Sequence, residues 1–165
     1  MITENDVDEL LKKYTKKEYS DVLLSETELL DYRSKVIVSH LRIEQLMDCI
    51  IIKKLKNHKD LVDPKFFKKQ KILFESEIIN KDLNHELKIL NKIRNVFAHE
   101  IDPIRGKTTN IIKQFKFYPK NKTNKEADLV RNAMTDGGIA GIITGLVIRY
   151  LVEILWEIQP NDKKK

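Results

Sequence analysis

The chain has 165 residues, 41% of them hydrophobic and 34% charged, a balance that excludes a disordered polymer and allows one domain with a sizeable core. Its formal net charge is +6 and its isoelectric point near 9.2, which suits an anionic partner without identifying one. The one cysteine, Cys49, excludes a disulfide framework within the chain and, lying in an apolar run, reads as a small buried hydrophobe.

With only five glycines and four prolines among many Lys, Glu, Leu and Ile residues, long helices are favoured over a many-turned β fold. The expectation is an all-α bundle with two long antiparallel core helices, a motif-bearing helix and a short extended insert. Residues 1–160 would form a single domain, and 161–165 a charged, frayed tail.

The first helix is expected over Asp6–Leu24, where Val7, Leu10, Leu11 and Tyr14 recur at three- and four-residue spacing. Met1 to Leu11 is acidic and lacks an apolar core, so no secretory signal is expected and the protein is read as cytoplasmic. Ser25-Glu26-Thr27-Glu28 has the form of a capping box and begins a second, long core helix that runs through Leu29, Val36, Ile43, Leu46, Met47 and Ile50 to about Lys56. Asp63-Pro64 is expected to open a third helix as N-cap and first position.

Asn80 is expected to cap the next helix. Leu83, Leu87, Leu90, Ile93 and Phe97 then step by four, three, three and four, a helical stripe that Pro103 ends soon after His99. Asp102 to Lys125 is the least helical segment, and the alternation from Ile111 to Tyr118 suggests a hairpin arm or an extended flap. The last helix is expected over Ala127–Ile158. Its apolar stretch from Ile139 to Trp156 is long enough to raise a membrane span, but Arg149 and Glu153 inside it would be costly in lipid. Gly137, Gly141 and Gly145 at four-residue spacing are read instead as letting a neighbouring helix approach.

The charges are unevenly placed. Eight lysines fall between Lys53 and Lys71 against Asp60 and Asp63, and Lys113, Lys116, Lys120, Lys122 and Lys125 surround Phe115, Phe117 and Tyr118. Cations interleaved with aromatic rings suit a single-stranded nucleic acid, whose phosphates meet the lysines while its bases stack. Lys68, Lys69, Lys71, Lys116, Lys120 and Lys122 are the candidates. A solvated helix face with core aromatics would look the same.

The sharpest local feature is Arg94-Asn95-Val96-Phe97-Ala98-His99. Asn95 and His99 share a helix face, and Arg94 sits about 140 degrees around the axis from His99, so the two could flank a ligand. Cleavage of RNA through its own 2′-hydroxyl needs a proton-transfer group active near neutral pH and a fixed cation where charge builds on phosphorus. Histidine and arginine supply these. From residue chemistry alone a plain structural role is the simpler reading: a histidine at a helix C-terminus is favoured by the helix dipole, and Arg94 could pair with Glu44, Glu86 or Glu100. His40, His58, His85 and His99 lack zinc-site spacing, so no metal or other cofactor is expected.

The six-residue motif resembles the arginine, polar residue and histidine signature of the HEPN superfamily, and its surroundings resemble the branch of mannitol-operon-repressor-like proteins. The resemblance covers roughly Val36 to Glu100. It includes Arg42-Ile43-Glu44 on the long helix, the phenylalanine- and lysine-rich stretch Phe66 to Phe74, and the leucine-striped helix ending in the motif. The resemblance implies a helical bundle that pairs as a homodimer around two motif copies. It also implies metal-independent RNA cleavage of the kind used by toxins and phage-defence effectors, with an antitoxin or regulatory protein as a partner. Carried over, Arg94 and His99 are the catalytic pair, Asn95 their polar companion and Glu44 a support from the long helix. Other relatives imply the alternative, a non-catalytic regulator, repressor or nucleotide- or protein-binding module. The segment Asp102 to Lys125 and the glycine-spaced last helix depart from the family pattern.

Overall fold

The computed structural model describes residues 2–25, 32–55, 65–99, 110–111, 113–115 and 136–157. Among these the secondary structure is entirely helical, in six main helices: α1 Glu4–Lys13, α2 Lys16–Ser25, α3 Tyr32–Lys54, α4 Phe66–Glu75, α5 Lys81–His99 and α6 Asp136–Glu157. The all-α reading holds, and the two longest helices, α3 and α6, share the most extensive packing.

The expected first helix is two. Tyr14 leaves α1 in an extended conformation, and Thr15 starts α2 with a capping box that sequence reading missed. The Thr15 amide donates to Glu18 Oε2 at 2.8 Å, and the Glu18 amide donates to Thr15 Oγ1 at 3.2 Å. Thr3 and Asp6 cap α1 in the same reciprocal way. Two amide donors satisfied at Thr15 outweigh continuation of one amphipathic helix. The Ser25–Glu28 box lies largely outside the described residues.

Four consecutive residues of α3, Cys49 to Ile52, are buried. A helix buried on all sides must be enclosed by neighbours, and α1, α4, α5 and α6 all pack against α3. From α6 the core receives Val147, Ile148, Leu151, Val152 and Leu155, and from α5 it receives Leu83, Leu87, Leu90, Ile93 and Phe97. The α5 stripe is therefore core-facing, as its spacing predicts. Arg149 and Glu153 of α6 are exposed, and Glu153 pairs with Lys16 of α2 at 3.9 Å. Among the described residues no helix is long and apolar enough to cross a membrane. The neighbour admitted at Gly145 is Leu24 of α2, and Tyr19 and Trp156 bring their rings within 5.5 Å on the same α2–α6 seam.

The start of α4 is displaced from expectation. Its N-cap is Lys65, with no side-chain cap, while Asp63 and Pro64 lie outside the described residues. The helix ends through Glu77, in the left-handed region at φ 56, which lets the Ile78 amide reach back to the Leu73 carbonyl at 3.0 Å. Asn80 then caps α5 as expected, accepting from the Leu83 amide at 2.8 Å.

The insert is not an extended arm where it is described. Asn110 and Ile111 are helical, and the Gln114 amide closes a turn on the Ile111 carbonyl at 3.0 Å. Phe115 is fully buried, and the Gln114 carbonyl oxygen lies 2.9 Å from His85 Nε2. Burial of the Phe115 ring in the core overrides the local alternation.

Cross-helix contacts define helix directions. Phe66 of α4 stacks on His40 of α3, and Lys69 meets Glu44 and Asp48, so α4 runs alongside α3 in the same sense. Asn84 of α5 meets Gln70, and Asn91 meets His40, so α5 runs the opposite way. The C-terminal turns of α5, carrying Arg94 to His99, consequently reach the level where α4 begins.

Candidate functional site

Arg94 and Asn95 occupy the last turns of α5, and His99 closes the helix. The described arrangement covers the His99 backbone but not its side chain. Ile93, Val96 and Phe97 are committed to the core, whereas Arg94 is half-buried and Asn95 exposed. The Arg94 guanidinium donates from Nη1 to Asn95 Oδ1 at 3.1 Å.

Of the carboxylates considered as partners for Arg94, Glu44 is held elsewhere. Lys69 Nζ lies 3.2 Å from Glu44 Oε1 and 2.8 Å from Asp48 Oδ2. Glu86 is fully buried on the core side of α5, and Glu100 lies outside the described residues. Among the described residues no carboxylate forms an ion pair with Arg94. Among the described residues its hydrogen-bond partner is the Asn95 side-chain amide.

The structure adds a residue that sequence reading passed over. His40 is buried on α3, stacked on Phe66 with ring centroids 4.1 Å apart. Its Nε2 lies 3.3 Å from Asn91 Oδ1, one helical turn before Arg94 and Asn95. Burial, and after it the neighbouring Arg94 charge, push the imidazole pKa down from 6.5 to about 4, against the Asn91 hydrogen bond. His40 is thus a neutral hydrogen-bonding group at neutral pH. One signal was available: His40 falls at helical spacing with Val36, Ile43 and Met47, on an apolar face where a histidine needs a partner. That partner is 51 residues away and has no local signature.

The expected nucleic-acid lysines separate. Lys69 is only 4% exposed and bound to Glu44 and Asp48, so it is not a surface cation. The reason is amphipathic: at this position of α4 the alkyl stem lies against the core, and two carboxylates on α3 meet the ammonium. Glu44 is correspondingly a partner of Lys69 rather than a group held against Arg94. Asp48 has its carboxyl pKa pushed up, first by burial, while Lys69 opposes the shift. Lys68 and Lys71 are exposed, with Lys71 3.6 Å from Glu75. Lys116, Lys120 and Lys122 lie outside the described residues.

Cys49 is buried, and its thiol is pushed up to about 12 by burial, so it is not a nucleophile near neutral pH. Among the described residues no His, Cys, Asp and Glu side chains form a metal-holding group. No family model, curated protein or solved structure matches the chain.

Proposed function

We propose that this protein is a HEPN-type, metal-independent endoribonuclease that cleaves RNA through attack of its 2′-hydroxyl, with Arg94, Asn95 and His99 as its site. The observation that carries the reading is the state of Arg94, a half-exposed guanidinium beside Asn95 that no described carboxylate neutralises. A structural arginine at a helix–helix seam normally finds an acid; one left with an amide is suited to an anionic ligand.

In the proposed reaction the 2′-oxygen gives up its proton and bonds to phosphorus, the bond to the 5′-oxygen breaks, and that oxygen takes up a proton. Arg94 offsets the charge that builds on the non-bridging oxygens. His99 carries proton transfer, for which an imidazole is suited near neutral pH. Asn95 fixes the guanidinium fork. His40, buried and neutral, lies behind the site rather than in it.

The test is incubation of the purified protein with total RNA in EDTA. Cleavage to ends bearing a 2′,3′-cyclic phosphate is expected, reduced about a hundredfold or more in Arg94→Ala and in His99→Ala with melting temperatures unchanged. Intact RNA with the native protein, or full activity in either variant, would remove the assignment. That outcome would favour the non-catalytic binding module.

A further inference from the structure

Helix α4 exposes two aromatic rings that its core does not need. Phe66 and Leu73 face inward, whereas Phe67 is 57% exposed and Phe74 39% exposed. The two are seven residues apart, so they share one face of the helix about 10 Å apart along its axis. That distance matches roughly three stacked nucleotides at 3.4 Å each. Exposed rings on one helix face offer flat apolar surface on which bases can stack.

The direction of that face follows from the inward contacts. Lys69 turns toward α3 and Gln70 toward Asn84 of α5, and the positions of Phe67 and Phe74 lie beyond Gln70, on the α5 side. On α5, Leu83 and Leu87 lie on the core side of Asn84, and Lys88 and Lys92 on the opposite, solvent side, both exposed. The same row continues to the exposed Asn95. Two rings and two cations therefore border one seam, and the seam ends at the arginine-bearing turns.

We propose that the outer seam of α4 and α5 is a single-stranded RNA path, on which Phe67 and Phe74 stack bases while Lys88 and Lys92 hold phosphates. The proposal rests on the ribonucleic-acid reading above and names the route by which the strand reaches Asn95. Charge complementarity favours this occupant: the phosphates of a strand would meet Lys88 and Lys92, whereas a second copy seated on the same face would set its own lysines against them.

The experiment is fluorescence anisotropy of a labelled 2′-O-methyl single-stranded oligonucleotide, which binds as RNA does but lacks the attacking hydroxyl. Native protein is compared with Phe67→Leu, Phe74→Leu and Lys88→Gln/Lys92→Gln. Leucine keeps an apolar side chain and removes the ring. Each leucine variant is expected to bind about five- to a hundredfold more weakly, at unchanged sedimentation and melting temperature. The double lysine variant is expected to flatten the slope of log affinity against log salt by about 1.4. Native-like affinity in both leucine variants overturns the path even if total RNA is still cleaved. So does a shift to a smaller species with affinity unchanged, which would assign the face to a second copy. Binding that depends on both rings, without any cleavage of total RNA, supports the path and removes only the nuclease reading.

Discussion

At the scale of single residues, His40 and Lys69 show how the interior treats ionisable groups near the site. His40 binds its proton less readily folded than unfolded, with a pKa of about 4 against 6.5. Its contribution is fully present above pH 6.5. As pH falls toward 4 the unfolded chain takes up a proton that the folded one refuses, and stability is lost. The full difference is roughly 3 kcal/mol, expressed below pH 4. Asp48 acts in the opposite direction, because its carboxyl is raised and burial of its charge is relieved on acidification. Urea titrations at pH 7 and pH 4.5 should therefore show a loss in the native protein that is smaller in His40→Gln; equal losses would mean that His40 titrates freely. For Lys69, truncation leaves Glu44 and Asp48 without their shared cation. Lys69→Ala is expected to cost about 3–5 kcal/mol, measured as a lower urea midpoint. A change below 1 kcal/mol would place the lysine outside the core.

At the scale of helices, end signals and close contacts decide where elements stop and how near they come. Thr15 illustrates the first: a threonine followed three residues later by glutamate started a new helix inside a continuous apolar pattern. The same logic placed Asn80 correctly, because asparagine before a leucine stripe has one efficient use there. Gly145 illustrates the second. A methyl group there would sit 3.4 Å from Leu24 Cδ2, an ordinary van der Waals distance. Gly145→Ala is accordingly expected to raise stability by about 0.5–1 kcal/mol through helix propensity, read from thermal unfolding. Gly145→Leu should lower it by separating α2 from α6. If alanine is destabilising, the α2–α6 approach is closer than the helix geometry gives.

At the scale of the molecule, the packing of α1, α4, α5 and α6 against α3 leaves the C-terminal turns of α5 beside the start of α4. A proton-transfer reaction is served better by two imidazoles than by one, and each copy offers a single His99. A homodimer that brings two Arg94–His99 turns together is the expected solution state. Sedimentation equilibrium at tens of micromolar should give twice the 19.4 kDa chain mass. A well-determined monomer would contradict the pairing, and the site would then have to act with one histidine.

The sequence by itself determined the helical class and the inward stripe of α5. These depend on residues three and four apart, and a helix converts that spacing directly into faces. Only the tertiary structure decided that His40 serves Asn91, that Lys69 is an interior cation and that Phe115 belongs to the core. Those outcomes depend on partners 21 to 51 residues away, and on whether a neighbouring helix excludes water from the side chain. A lysine or phenylalanine looks the same in sequence on either side of that boundary, because burial is a property of what packs over it.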